Sequence, residues 1–318
     1  MVWDASMRGA TDEAPPVRRA TATIVSCGTG PRPTGAPWPR VYISRVSEPP
    51  AARPRTGRSF STDADRMRLR TIGTGTAAPH PTRVAAAHLV EADDIRLLLD
   101  CGSGAVHRMA NLGVDWSRIT HVALSHFHAD HIADLPLLIM GWRWGQLPPR
   151  REPVTIYGPA GTGALFERLA AVYGAWMLAP GFPLTVRDLG PDEIIRLGDG
   201  VSLSACPVPH TAESVAYSIS EGDTRLVYTG DTGVSEALGV WAHGCTVLLA
   251  ECSLPDAMAI REHLTPRQTG ALAAQAQCAR LVLTHFYPPV EAVDIVAEVA
   301  EYYAGPVTCA TDGWSIDF

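Results

Sequence analysis

Three histidines and an aspartate lie within six residues of one another, directly after a short apolar segment. The segment His121–Ser125 has the pattern of a β-strand, and the polar residues that follow it are His126, His128, Asp130 and His131. Side chains two positions apart in extended backbone point the same way, so the first two histidines can share one ion. Asp130 and His131 stand where a helix would begin and can turn toward a second ion. Imidazole and carboxylate groups bind zinc, and also iron or manganese, so the spacing predicts a metal site.

Further residues of ligand type come directly after apolar strand-like segments elsewhere in the chain: His210 after 205–209, Asp231 after 226–230, and His285 after 281–284. Loops that follow neighbouring strands gather at one edge of a sheet, so we expect these side chains to join the histidine motif. Asp231 has two oxygens and could bridge two ions. Two ions lower the pKa of a water between them toward neutrality, which generates hydroxide. The sequence therefore predicts a dinuclear hydrolytic centre.

A carboxylate and an imidazole form a second candidate pair. Glu251 follows the apolar segment 247–250, and His263 precedes Leu264 and Thr265 at the start of a helical pattern. An imidazole that is oriented by a carboxylate is a suitable general acid for the leaving oxygen of an ester. The residues alone fit equally well with Glu251 as a loop cap and His263 as a surface residue.

The elements that must position these residues are short strands alternating with helices. Strands are expected at 69–73, 86–90, 95–100, 121–125, 154–157, 201–208, 215–220, 225–229, 246–250 and 281–284. Helices are expected at 105–112, 135–144, 163–173, 265–277 and 293–303. Thr265 has the character of an N-cap, with Pro266 at the first helical position. This order predicts one α/β domain over residues 67–318.

Residues 1–66 have a different composition from the rest of the chain. They are rich in proline, arginine, alanine and serine and show no sustained period, so we expect a disordered extension. The whole chain contains no stretch of 18 apolar residues, and its first residues lack the apolar core of a signal peptide. We therefore expect a cytoplasmic protein with no membrane partner, whose seven cysteines are free thiols.

The charge is distributed unevenly. The formal net charge is −7, yet residues 1–66 carry ten arginines against six acidic residues. The remainder carries 16 arginines against 27 acidic residues, and no lysine occurs anywhere. Affinity for a long polyanion comes largely from contacts with its phosphates, so an acidic domain disfavours a large nucleic-acid substrate.

The histidine motif, followed by the isolated His210, Asp231 and His285, resembles the pattern of the metallo-β-lactamase superfamily over residues 67–318. The resemblance implies a four-layer αββα sandwich with two divalent ions, zinc first and manganese or iron as alternatives, at the sheet edge. It implies three sets of ligands: His126, His128 and His210 for the first ion; Asp130, His131 and His285 for the second; and Asp231 as the bridge.

Four further segments narrow the resemblance to the ribonuclease Z-like phosphodiesterase branch: Gly73–Gly75, Tyr228–Thr232, His263–Thr265 and Leu283–Phe286. In that branch the counterpart of His263, helped by the counterpart of Glu251, protonates the leaving group. Asp130 is implied to orient the attacking hydroxide. Members of the branch often form dimers, which leaves both a monomer and a homodimer open.

The chain departs from ribonuclease Z at two places. The His-Glu-Ala-Thr segment of that branch reads Ala250-Glu251-Cys252-Ser253, and only about twenty residues separate His210 from Asp231, where ribonuclease Z carries its tRNA-binding arm. Together with the acidic charge, these departures favour a small or short phosphodiester over tRNA. A tRNA 3′ endonuclease, a lactonase or thioesterase, and a metal-binding protein without catalysis remain alternatives. The redox branch is disfavoured because it places a glutamate where His128 stands.

One glycine-rich segment imitates a phosphate-binding loop. Residues 158–163 read Gly-Pro-Ala-Gly-Thr-Gly, but they lack the lysine of a P-loop. We interpret them as a turn into the helix that follows.

Overall fold

Two seven-stranded sheets form the framework of the part of the chain that the computed structural model describes, residues 67–191 and 193–318. The first sheet contains β1 (Arg68–Gly73), β2 (Ala87–Ala92), β3 (Ile95–Leu99), β4 (His121–Ala123), β5 (Val154–Gly158), β6 (Leu184–Asp188) and β14 (Ser315–Asp317). The second contains β7 (Ile194–Arg196), β8 (Val201–Pro207), β9 (Val215–Glu221), β10 (Thr224–Tyr228), β11 (Val247–Glu251), β12 (Arg280–Thr284) and β13 (Val307–Cys309). The prediction of a disordered extension at 1–66 falls outside the described residues.

Each sheet is half parallel and half antiparallel. The spatial order is β14-β1-β2-β3-β4-β5-β6 in the first sheet, where β3 to β6 run parallel, and β13-β12-β11-β10-β9-β8-β7 in the second, where β10 to β13 run parallel. Parallel strands end at the same edge of a sheet. At one edge of each sheet, therefore, emerge the loops that follow the parallel strands β3, β4, β10, β11 and β12. The polar residues that come directly after these strands lie at that edge.

Helices cover the outer faces of both sheets. They are α1 (Ala105–Asn111), α2 (Ala129–Ile132), α3 (Leu135–Trp144), α4 (Thr162–Tyr173), α5 (Glu236–Trp241), α6 (Pro266–Ala276) and α7 (Ile295–Ala300). Single turns of 3₁₀ helix occur at 116–118, 175–177, 256–258 and 288–292. None of the helices in the described ranges is long and apolar enough to cross a bilayer.

Three apolar cores lie between the four layers and hold them together. One lies between the sheets, a second joins the first sheet to α1, α3 and α4, and a third joins the second sheet to α5, α6 and α7. Alternating side chains serve different cores, because successive residues of a strand point to opposite faces. Val122 packs under the helices, for example, while Ala123 faces the other sheet. The arrangement is the expected four-layer αββα sandwich.

The central strands are buried, and their burial produces the apolar runs that predict them in the sequence. The central strands β11 and β12 are covered on both faces, so they are continuous apolar runs rather than alternating ones. Helix α6 begins as predicted: the Thr265 side chain accepts from the Gln268 amide, the Gln268 side chain accepts from the Thr265 amide, and Pro266 is the first helical residue. The cysteines of the described part are not joined by disulfide bonds, as expected: Cys101, Cys206, Cys245, Cys252, Cys278 and Cys309.

Differences from the predicted elements have local causes. The strand expected at 121–125 ends at Ala123, because the Ser125 amide donates to the Asp100 carboxylate at 2.7 Å instead of to another strand. The helix expected at 293–303 spans only 295–300, since Asp294 caps it at its start by accepting from the Ala297 amide. The prediction missed five elements that are short or lie at exposed edges, where the apolar signal is weak: β6, β7, β13, β14 and α5. The helix start expected at Asp130 and His131 is the single turn of α2.

Candidate active site

The structure brings all the predicted site residues together at the edge where the parallel strands end. Two groups of side chains each place their nitrogen and oxygen atoms within 4.8 Å of one another: the first consists of His126, His128 and His210, and the second of Asp130, His131, Asp231 and His285. Glu251 and His263 lie next to the second group and share with His285 a third cluster of the same kind. Most of these side chains are buried, so the cluster lies largely within the sheet edge rather than on the surface.

Close backbone packing shapes the motif loop. His128 has extended backbone and α2 follows at once, which places Asp130 and His131 in the first turn of that helix. The His131 carbonyl accepts from the Cys101 amide at 2.7 Å. A Cβ at Gly102 would lie only 2.0 Å from the Asp130 carbonyl oxygen, so a glycine is required where these two loops meet.

Two residues of the site have left-handed backbone although neither is glycine. Asp100 has φ +59° and His285 has φ +58°. Such conformations cost about 1–3 kcal/mol each and persist where surrounding contacts enforce them. Here the contacts are hydrogen bonds: the Ser253 hydroxyl lies 3.0 Å from the His285 carbonyl, and the next amide, that of Phe286, donates to the Thr74 carbonyl.

The hydrogen bonds of the first group fix which ring nitrogen of His126 faces the cluster. The Ser125 hydroxyl donates to the Asp100 carboxylate at 2.8 Å, so its oxygen accepts from Nδ1–H of His126 at 3.0 Å. The lone pair of His126 is therefore on Nε2. That nitrogen has no hydrogen-bond partner among the described residues and lies 3.8 Å from the Asp231 carboxylate.

His210 is fixed in the same way. Its Nδ1 lies 2.9 Å from the Glu262 carbonyl, which can only accept, so Nδ1 carries the proton and Nε2 carries the lone pair. Nε2 lies 3.0 Å from Nδ1 of His128. Two ring nitrogens at this distance must share a proton or a cation.

The second group also turns lone pairs inward. His131 donates from Nδ1 to the Asp100 carboxylate at 2.8 Å, which leaves its Nε2 at 3.2 Å from Asp231 and 3.3 Å from Nε2 of His285. Nε2 of His285 lies 3.5 Å from Asp130 and 3.4 Å from Oδ1 of Asp231. That oxygen has no hydrogen-bond donor among the residues the structure describes. Inward lone pairs and an unsatisfied buried carboxylate oxygen are the donor set that a divalent cation satisfies.

The charges of the second group favour bound positive charge. Burial opposes the charged form of His131, but Asp231 and Asp100 outweigh it and hold the pKa of His131 well above its usual value. Burial likewise opposes the charge on Asp231, yet His131 and His285 hold the pKa of that carboxyl well below its usual range. Protons and metal ions therefore compete for the same atoms.

Asp100 is a central residue that the sequence analysis did not select. Its buried carboxylate accepts from the Ser125 amide, the Ser125 hydroxyl, His131 and, at 2.7 Å, the Tyr228 hydroxyl. The signal that could have found it was present, because Asp100 ends an apolar strand just as Asp231 follows one. The prediction instead counts Asp100 as the last residue of the expected strand at 95–100.

Glu251 and His263 form a pair beside the cluster. Nδ1 of His263 lies 3.0 and 3.2 Å from the two oxygens of the completely buried Glu251. The same carboxylate accepts from the Thr232 and Leu264 amides. Burial lowers the pKa of His263, but the hydrogen bond and the charge of Glu251 outweigh it and raise the pKa to about 8. His263 is therefore largely protonated at neutral pH, which suits a proton donor and does not fit the reading of these two residues as a loop cap and a surface side chain.

Tyr287 also lines this part of the site and was missed. Its ring centroid lies 5.9 Å from those of both His263 and His285, and its side chain is partly exposed. Burial and the carboxylates of Asp130 and Asp231 raise the pKa of its phenol to about 12. No spacing rule marks a tyrosine two residues after a ligand-type histidine.

Two predictions about the surrounding loops are confirmed. The segment 158–163 is a turn into α4. The Asp188 carboxylate accepts from the Gly161 and Gly163 amides at 2.8 and 3.0 Å, so this carboxylate occupies the amides at the start of α4 that a phosphate would otherwise contact. The stretch between His210 and Asp231 contains only β9, β10 and the tight turn at Gly222.

Comparison with known proteins gives a consistent family. A β-lactamase superfamily domain model matches residues 95–286. An uncharacterized protein of Mycobacterium leprae is 33% identical over 263 residues, which cover 79% of this chain and 88% of that protein. The ribonuclease Z of Haloferax volcanii is 26% identical over 307 residues, covering 79% of this chain and 95% of the enzyme.

The fold is also shared with a solved structure. The metallo-β-lactamase fold protein YhfI from Bacillus subtilis superposes with a TM-score of 0.69 at 24% identity, covering 80% of this chain and all of that protein.

Proposed function

Because the chain belongs to the β-lactamase superfamily, it is a metal-dependent hydrolase, and we propose that it cleaves a phosphodiester bond in a small or short nucleotide-like substrate. The observation that carries this proposal is the His263–Glu251 pair at the edge of the cluster, since a protonated imidazole there can supply the proton that an alkoxide leaving group requires. The similarity to a ribonuclease Z supports the same bond type.

The donor atoms fit two divalent ions. We propose that Nε2 of His126, Nδ1 of His128 and Nε2 of His210 hold the first ion, and that Asp130, His131 and His285 hold the second. Oδ2 of Asp231 lies 3.8 Å from His210 and 3.2 Å from His131, and its Oδ1 lies 3.4 Å from His285, so Asp231 would serve both ions. Zinc suits this mixture of imidazole and carboxylate best, although manganese and iron accept it too. Two bound ions would polarise the phosphoryl oxygens and lower the pKa of a water molecule toward neutrality.

The protein's own residues then perform the remaining steps. The Asp130 carboxylate accepts a hydrogen bond from the attacking water and orients it toward phosphorus. His263 passes its proton from Nε2 to the leaving oxygen, while its Nδ1–H continues to donate a hydrogen bond to the Glu251 carboxylate. The buried Glu251 carboxylate stabilises the imidazolium before the transfer and keeps the ring facing the substrate.

A short substrate is favoured by the shape of the second sheet. The connection between β9 and β10 is a tight turn at Gly222, so no arm extends from the sheet between His210 and Asp231. The domain from residue 67 onward is also acidic, which weakens binding to a long polyanion. Cleavage of precursor tRNA is the second candidate, on the strength of the similarity to ribonuclease Z.

A substrate panel tests the proposal. Purified protein loaded with zinc would be assayed with bis(p-nitrophenyl) phosphate, a dinucleotide, a precursor tRNA, a lactone and a thioester, each with and without chelator. We expect chelator-sensitive turnover of the first two substrates. Turnover confined to the lactone or thioester would contradict phosphodiester hydrolysis, and efficient tRNA cleavage would contradict the short substrate.

A further inference from the structure

Ser253 joins the two halves of the site through one hydroxyl group. It follows β11 by two residues and is completely buried. Its oxygen is in hydrogen-bond contact with the Glu251 carboxylate, lies 3.0 Å from Nδ1 of His285, and lies 3.0 Å from the His285 carbonyl oxygen.

The chemistry of these neighbours determines where the protons are. The carboxylate and the carbonyl oxygen can only accept, so the single hydroxyl proton of Ser253 points to one of them. The third contact is then Nδ1–H of His285 donating to the serine oxygen. This leaves the lone pair of His285 on Nε2, the nitrogen that faces Asp130 and Asp231.

We propose that Ser253 is a positioning residue for metal binding: its hydroxyl holds His285 in the tautomer and orientation that bind the second ion, and links that ligand to the carboxylate that orients His263. The proposal rests on the proposed function for the identity of the two ions, and on geometry for the link itself. Glu251 thereby contacts three segments of the site: it accepts from His263, from Ser253, and from the Thr232 amide beside Asp231.

The link matters because the ring is otherwise free to choose its tautomer. A histidine that binds a metal usually donates its other N–H to a neighbouring acceptor, and loss of that acceptor costs about 10- to 100-fold in metal affinity. His131 has Asp100 in this role and His210 has the Glu262 carbonyl. For His285 the acceptor is the Ser253 oxygen.

The backbone hydrogen bonds of Ser253 itself do not involve its side chain. The Ser253 amide donates to the Leu264 carbonyl at 2.9 Å, and the Ser253 carbonyl accepts from the Tyr287 amide at 3.2 Å. Both bonds survive in Ser253→Ala, so we expect that variant to fold. A role limited to the backbone of Ser253 would therefore leave metal affinity unchanged.

Metal titration of three variants tests the proposal. Zinc dissociation constants of both sites would be measured by competition with a chelator for wild type, Ser253→Ala, Ser253→Thr and the control Ser218→Ala, a buried serine in the middle of β9. We expect Ser253→Ala to weaken one ion about 10- to 100-fold and to spare the other. Ser253→Thr, which keeps the hydroxyl, and Ser218→Ala should stay within about threefold of wild type, since neither removes the hydrogen bond to His285. Wild-type affinity at both sites in Ser253→Ala, equal loss of both ions, or equal loss in Ser253→Thr would overturn the role.

The tautomer itself can be read without any variant. Long-range ¹H–¹⁵N correlation of the zinc-loaded protein assigns the protonated nitrogen of each ring, and we expect a proton on Nδ1 of His285. A proton on Nε2 would overturn the proposal. Neither measurement uses a substrate, so failure of the phosphodiesterase assay would refute the proposed reaction and leave the role of Ser253 to be decided separately.

Discussion

The carboxylate of Asp100 lies 2.8 Å from Nδ1 of His131, and both side chains are completely buried. A buried carboxylate that receives the outer N–H of an imidazole makes the inner nitrogen a stronger ligand. The same carboxylate also fixes Ser125, which in turn fixes His126. One aspartate thus orients a side chain of each ligand group.

Asp100→Asn is expected to weaken metal binding without unfolding the protein. Asparagine has nearly the same shape and tolerates the left-handed backbone at this position, but it lacks the negative charge. We predict a loss of about 10- to 100-fold in zinc affinity, measured by chelator competition. The control is Asp94→Asn, an exposed aspartate in the turn between β2 and β3. Unchanged zinc affinity in Asp100→Asn would show that the contact with His131 is only structural.

Removal of single ligands should separate the two ions. We predict that His210→Ala retains only the second ion and that His285→Ala retains only the first, since each belongs to one group. Asp231→Ala should lose affinity for both, because its oxygens approach both groups. Elemental analysis after dialysis against dilute chelator measures the metal content per chain. If His210→Ala and His285→Ala lost the same ion, the assignment of the ligands would be wrong.

The pH dependence of turnover should show the pKa of His263 and its dependence on Glu251. The pKa of His263 is raised to about 8, so the ring is protonated below that pH and loses its proton above it. A general acid acts in the protonated form, so kcat should fall as the pH rises through about 8. Replacing Glu251 by Gln removes the charge that raises this pKa and should move the fall to lower pH. An identical pH profile in Glu251→Gln would contradict the role of the pair.

The contact between Gly102 and the motif loop should be visible in stability. A Cβ at Gly102 would overlap the Asp130 carbonyl oxygen, so Gly102→Ala must displace α2 or the loop beside it. We expect the free energy of unfolding to fall by about 1–3 kcal/mol, as measured by urea denaturation. Gly163→Ala is the matched control: it lies in α4, a Cβ there would lie 3.9 Å from Oδ1 of Asp188, and the variant should be neutral or slightly stabilising. Equal stability of the two variants would contradict the close packing.

The site was predictable to the extent that its residues are marked by local pattern. The histidine motif has its spacing, and Asp231 and His285 come directly after buried strands, so strand signals located them. Asp100 has the same signal, because it ends an apolar strand, but nothing in the sequence marks its contact with His131, 31 positions away. Ser253 acts through a residue 32 positions away, and no local pattern records such a contact. The same holds for the fold. The sequence pattern predicted the buried central strands, whereas short edge strands such as β7 and β14 contain too few apolar residues to be recognised.

His263 is proposed to donate the proton to the leaving oxygen, and a comparison of leaving groups tests this role. Turnover would be compared for bis(p-nitrophenyl) phosphate, whose leaving phenolate needs little protonation, and for a dinucleotide, whose leaving alkoxide needs much more. The proteins are wild type, His263→Ala and the control His107→Ala, an exposed histidine on α1, all with their metal content measured. We predict that His263→Ala keeps both ions and loses about 10²- to 10⁴-fold in kcat on the dinucleotide, with a clearly smaller loss on the activated ester. Equal losses on the two substrates, or loss of metal in parallel with activity, would contradict proton donation by His263.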